Sequence, residues 1–481
     1  MRFFLVILPI VLALFPTVSA ITTYDISLQG TDAILNSTFE IYTSRAGERV
    51  NYWTTSFSVP ENSVLISVSD SKGPIRSYNL SGGRIYIETN KGGLKEKEVV
   101  NIVFRARNAV LTEYGNLKKI NMSLSAFTDQ RPDVPDEETF LSLRAGQEII
   151  SFSSSLGFSS QLRNGTLLLS GNGPVAFAAY FGKGKLYNHY VLFGQENLSD
   201  ADEAFGLVPA IVGILPEYKR FPIVALPEAE YERRINPWSV GEYRGVIYLK
   251  GGDQSLSTIL HETAHGINER ALRWQKTRVA WFDEGIAKYV EFVTNKKSGE
   301  RQAEVFGKPV EWREGLRIYT LPSRSSSQEL WEYYNSGSSF MEEWNPFESD
   351  KREFGYAFSE LVIRDFVRRN GPEALHSLFR GLLRVQTEAT SASEYNSVIL
   401  NLMNSDFRPC YNSDRSVFDN CLREINSMDP SVPDSVIIDG ERQDIVIPRI
   451  EPPKEEQNPL QAIIDFFNYL GSAIKGLFGI Q

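Results

Sequence analysis

Two stretches decide the fold of this chain: Ser255-Leu-Ser-Thr-Ile-Leu-His-Glu-Thr-Ala-His-Gly-Ile-Asn268 and Trp281-Phe-Asp-Glu-Gly-Ile-Ala-Lys-Tyr-Val-Glu291. Both read as helices. His261 and His265 stand four apart, so their imidazoles project from one face, one turn apart, and can reach a single ion. Glu262, beside the first histidine, is placed to handle a proton on a water activated by that ion. The chain has four histidines in 481 residues, and half of them sit in this pentapeptide. A chance His-Glu-x-x-His at that abundance is expected on the order of a few times in a thousand such chains.

A catalytic zinc takes three protein ligands and leaves one position open. No further His or Cys lies close by, so a carboxylate is the expected third ligand, and Glu284, with eighteen residues between it and His265, is the candidate. A helix pair joined by a loop would bring it opposite the imidazoles. Glu291 lies two turns after Glu284 on the same face. There it can accept the N–H of a ligating imidazole and fix its tautomer. The competing reading of Glu291 is a solvated charge. The expected cofactor is one Zn2+.

Outward from these helices, two regions of different character appear. Residues 21–194 alternate or run apolar in short segments such as 84–88 (RIYIE) and 99–105 (VVNIVFR), with Gly/Ser/Asn/Asp clusters between them. That pattern predicts an all-β, sandwich-like domain. Residues 195–429 predict an α+β domain: a helix over 201–215, strands over 221–226 and 245–249, then helices over 255–268, 281–295 and 356–385. Residues 430–459 hold six prolines among charged residues and read as a linker. Residues 460–481 predict a helix with one narrow polar stripe (Gln461, Asp465, Asn468, Ser472, Lys475) and a wide apolar remainder. Docking on a membrane surface is the favoured role; packing back on the protein and a true span are the alternatives.

Residues 1–20 read as a secretory signal peptide, with Arg2, an apolar core over 3–15 and a Val18-Ser-Ala20 cleavage site. An uncleaved anchor is the alternative, and either places the chain outside the cytoplasm, secreted or at the cell surface. Five Asn-x-Ser/Thr sequons, at Asn36, Asn79, Asn121, Asn164 and Asn197, are candidate glycosylation sites confined to the first 200 residues. Cys410 and Cys421, the only cysteines, either close a short loop by a disulfide or stay free and buried. Acidic residues outnumber basic ones 60 to 50, and no Lys/Arg-rich run occurs, so no nucleic-acid partner is expected.

The combination of His261-Glu-x-x-His265, eighteen residues, then Glu284 in Trp-x-x-Glu-Gly-x-Ala resembles the gluzincin zinc metallopeptidases, in the peptidase-MA-like and aminopeptidase-N-like branch. The resemblance implies a thermolysin-like catalytic domain over about 197–383 and hydrolysis of a peptide or protein substrate. It also implies a tyrosine on a later helix that stabilises the tetrahedral intermediate. Tyr356, in Phe354-Gly-Tyr-Ala-Phe-Ser-Glu-Leu, is similar in position; a core tyrosine is the competing reading. The all-β region suits the layout of the aminopeptidase-N-like enzymes. Their amine-binding Gly-x-Met-Glu-Asn strand has no counterpart in Gly241-Glu-Tyr-Arg-Gly-Val-Ile-Tyr-Leu249, so Glu242 is not assigned that role. The alternative function is a surface binding protein on a catalytically degenerate peptidase scaffold.

Overall fold

Residues 21–449 are described by a computed structural model, except 44–46, 127–137, 156, 252–254, 273–278, 301, 309, 315–316, 322–324, 348–349, 386–390, 406 and 439. The expected signal peptide, the end of the Pro-rich stretch and the 460–481 helix lie outside the described residues. Among those described, no helix is long and apolar enough to cross a membrane. The chain divides into two units, Met1–Lys183 and Gly184–Gln481.

In the first unit, alternation of side chains is what builds the sheets. Asp32–Tyr42 buries Ala33, Leu35, Phe39 and Ile41, and its antiparallel partner Lys97–Ala106 buries Val100, Ile102, Phe104 and Ala106. With a side-chain period of two, this register sends one face of each strand to the core, and a one-residue slip would expose it. These strands centre an eight-stranded sheet, accompanied by a four-stranded and a three-stranded sheet. Ile21–Gln29 turns into Asp32–Tyr42 through Gly30-Thr31, where Gly30 takes a φ of 67° that suits a two-residue hairpin loop. All five sequon asparagines are exposed; four stand in this unit and Asn197 in the next.

The β region ends earlier than the 194 expected from sequence. Lys185–Leu186 and Tyr190–Phe193 belong to the second unit's five-stranded sheet, where Tyr190–Phe193 pairs in parallel with Phe221–Leu226. A strand in either unit has the same local pattern, and only its pairing partner assigns it. Phe221–Leu226 is buried throughout, as a central parallel strand covered on both faces should be. Ile247–Lys250 pairs beyond it in parallel, and the short antiparallel strand Gly241–Tyr243 closes the edge.

Two long helices expected from sequence are each divided. The 201–215 segment forms Ser199–Ala204 and Leu207–Val212. The 356–385 segment forms Arg352–Asn370 and Ala374–Arg384, interrupted at Gly371-Pro372, since Gly371 at φ 87° leaves the helix and proline cannot donate within it. The Pro-rich stretch is more than a linker at its start: Ser435–Ile438 and Glu441–Asp444 pair as a hairpin, and Val436 and Ile445 reach Gly206. Helix Ala280–Ser298 packs on Arg352–Asn370 so closely that a Cβ on Gly285 would stand 2.7 Å from the Ser359 carbonyl oxygen. The missing side chain of Gly285 is therefore what brings the helix bearing Glu284 against the helix bearing Tyr356.

Cys410 and Cys421 are joined by a disulfide with a sequence separation of 11. Closing a loop of that length restricts the unfolded chain by about 3 kcal/mol. Chemical denaturation of the Cys421→Ser protein is expected to show a loss near that size. An unchanged denaturation midpoint would mean that the crosslink does not restrain unfolding.

Candidate active site

Helix Leu256–Leu272 starts where Ser255 Oγ accepts the Thr258 N–H at 3.2 Å. Its His261 and His265 face the following helix, Ala280–Ser298, which brings Glu284 from its first turns. The three side chains converge. The two Nε2 atoms are 3.2 Å apart, and Glu284 Oε2 lies 3.6 Å from His261 Nε2 and 3.4 Å from His265 Nε2. Ligands 2.0–2.2 Å from a tetrahedral zinc stand about 3.3–3.6 Å from one another. The donor spacing therefore fits one such ion. His261, His265 and Glu284 are all at most 8% exposed.

The far sides of the rings are also engaged. His265 Nδ1 lies 2.9 Å from Asp283 Oδ2, and Asp283 Oδ1 accepts from Asn268 Nδ2 at 3.0 Å. His261 Nδ1 lies 3.3 Å from Glu291 Oε2. Carboxylates near both Nδ1 atoms favour the tautomer with N–H there, which would leave each Nε2 available to a cation between the rings.

The electrostatics agree. Burial opposes a charge on His261, but hydrogen bonding with Glu284 and Glu291 more than offsets it and its pKa is raised. Burial opposes a charge on His265 too, yet Asp283 and Glu284 hold its pKa well above the imidazole range. The pocket thus draws positive charge to these rings. Protons and metal compete for them, so zinc affinity is expected to climb as pH rises through the elevated imidazole pKa values and to fall below them. Competition with a chelating dye across the neutral range measures this, and a flat profile would contradict it.

Glu262 is 5% exposed, with Oε1 3.9 Å from His261 Nε2. Burial raises its pKa; the two histidines pull it down, while Glu284 and Glu242 push it up. Gly241 faces it closely: a Cβ there would stand 3.0 Å from Glu262 Cγ. Tyr356 lines the same cleft of about 290 Å³, with its ring 5.3 Å from that of Trp344. Lys288 Nζ donates to Glu291 Oε2 at 2.6 Å and sits 5.4 Å from the Tyr356 ring centroid. Glu242 also lines the cleft, held by Asn236 Nδ2 and by Arg244 Nε at 2.5 Å.

All six residues singled out in the sequence, His261, Glu262, His265, Glu284, Glu291 and Tyr356, therefore meet at one cleft. Asp283 escaped the sequence reading. Its adjacency to Glu284 was the available signal, but which acidic neighbour turns toward a histidine depends on how the helices are rotated. Asp283→Asn keeps the shape and removes the charge behind His265, and it is expected to weaken zinc binding by about 10- to 100-fold. Zinc affinity unchanged in that variant would remove Asp283 from the site.

No family model matches the chain, and no curated protein matches it. Solved structures to which it is similar include an M1 zinc metallopeptidase from Deinococcus radiodurans (10% identity, TM-score 0.33, covering 86% of this chain and 95% of that one). Aminopeptidase A of Legionella pneumophila, solved in complex with aspartic acid, matches at 12% identity and TM-score 0.35, covering 82% of this chain and 48% of that one. Leukotriene A4 hydrolase of Saccharomyces cerevisiae matches at 11% identity and TM-score 0.34, covering 86% and 68%.

Proposed function

We propose that this chain is an exported, zinc-dependent hydrolase of peptide bonds. The observation that carries the reading is the convergence of His261 Nε2, His265 Nε2 and Glu284 Oε2 at 3.2–3.6 Å from one another, beside a buried glutamate in an open cleft. Zinc bound there would supply Lewis acidity toward a carbonyl oxygen and ease deprotonation of a water.

The chain's own residues do the rest. His261, His265 and Glu284 would hold the ion, and Asp283 and Glu291 stand behind the two rings to fix their orientation. Glu262 receives the proton of the attacking water on its carboxylate and returns it to the departing amine. The Tyr356 hydroxyl donates a hydrogen bond to the carbonyl oxygen as charge builds there, where electrostatic stabilisation has most effect. Lys288, engaged by Glu291, is kept from acting as a free cation against the metal.

The test is metal content of the purified chain together with cleavage of a peptide library, with chelator and with zinc restored. One zinc per chain and cleavage that chelation abolishes and zinc restores are expected. Stoichiometric zinc with no peptide cleaved would overturn the hydrolase reading and leave a binding protein on this scaffold.

A further inference from the structure

The cleft carries a recognition group that the proposed chemistry leaves unused. Arg352 stands one turn before Tyr356 on the same helix, so the two side chains share a face, and both line the cleft beside Glu262. Its guanidinium lies 3.9 Å from the centroid of the Trp238 ring, and its Nε donates to the Pro346 carbonyl oxygen at 2.7 Å. Trp238 in turn meets the ring of Phe347 edge-on at 5.6 Å. The stacking and the Nε bond set the plane of the guanidinium and leave its two terminal nitrogens for another partner. Among the described residues no carboxylate pairs with them, whereas the other cleft cation, Lys288, is already engaged by Glu291.

A planar guanidinium, pre-oriented on an aromatic face with two parallel N–H groups to offer, suits bidentate binding of a carboxylate. Glu242, which also lines the cleft, is already tied to Asn236 and Arg244. We infer that Arg352 is a specificity-determining residue that receives a carboxylate of the substrate near the scissile bond, carried by an acidic side chain or by a peptide C-terminus. The inference rests on the peptidase reading for its substrate and on the cleft geometry for its chemistry.

The experiment uses the zinc-loaded full chain and two sets of paired peptides. One pair carries Glu or Gln in C-terminally amidated peptides; the other carries a free or amidated C-terminus with neutral side chains. Cleavage is read as kcat/KM, and binding is read separately by calorimetry on the zinc-loaded Glu262→Gln protein. A charge-assisted pair at a half-exposed site should favour the carboxylate peptide about tenfold in one of the two sets, which also identifies its source. Arg352→Gln should bring that ratio to about one, and Arg352→Glu should turn it in favour of a peptide bearing an amine at that place, an inversion that a merely structural role would not produce.

Absence of discrimination in both sets for the parent, or retention of the parent ratio in Arg352→Gln, would overturn the inference. Discriminating binding without any cleavage would instead sustain Arg352 and defeat the hydrolase reading. Cleavage without discrimination would do the reverse.

Discussion

Glu262→Gln is expected to keep the full zinc complement and to lose about 10³-fold in kcat/KM, within the range that a positioned general base contributes. The substitution is nearly isosteric and replaces a carboxylate that can take a proton by an amide that cannot. The site gives reason to expect the fold to tolerate it. Glu262 is buried between the metal-binding face and Gly241, and an amide of the same volume fits the space that Gly241 leaves. The amide also carries no charge to keep buried, and burial is what chiefly disfavours the Glu262 carboxylate. Zinc content and turnover should therefore separate cleanly. A variant with parent zinc content and parent kcat/KM would show that another group handles the proton, and the assignment of Glu262 would fail.

The second large effect concerns the metal. His265→Ala removes one of three converging donors while leaving Asp283 and Glu284 buried without their imidazole. Structural zinc sites of four ligands gain about 10–16 kcal/mol in apparent binding, so one ligand is worth about 2.5–4 kcal/mol, or about 60- to 1,000-fold in affinity. That loss should exceed the 10- to 100-fold expected for Asp283→Asn, because a ligand acts on the ion directly and Asp283 acts through the ring. The ordering is the informative result. If Asp283→Asn weakened zinc binding as much as His265→Ala, Asp283 would be contacting the ion itself; if His265→Ala bound zinc like the parent, the proposed coordination would be wrong.

Much of the site was legible because its members belong to two helices with internal spacing fixed by the backbone. His261 to His265 is one turn and Glu284 to Glu291 is two, so each pair must share a face wherever its helix goes. The β character of the first 180 residues was equally plain from period-two alternation. The break at Gly371-Pro372 is legible in the sequence as a stop signal, which the helix expected over 356–385 runs through.

What no local pattern contains is how one element turns toward another. Tyr190–Phe193 looks the same as the strands before it, and only its pairing with Phe221–Leu226 places it in the second unit. Asp283 and Glu284 are neighbours that serve different nitrogens of the same histidine, an arrangement set by the rotation of one helix against the next. Arg352 reads as an ordinary charge in a helix N-terminus until Trp238, more than a hundred residues earlier, is found beneath it. The sequence alone determined which atoms could hold a metal, because side-chain spacing along a helix is dictated by covalent geometry and hydrogen bonding within it. Only the tertiary structure decided which carboxylate backs which ring and which cation faces the cleft, because those depend on packing between segments whose separation along the chain carries no orientation.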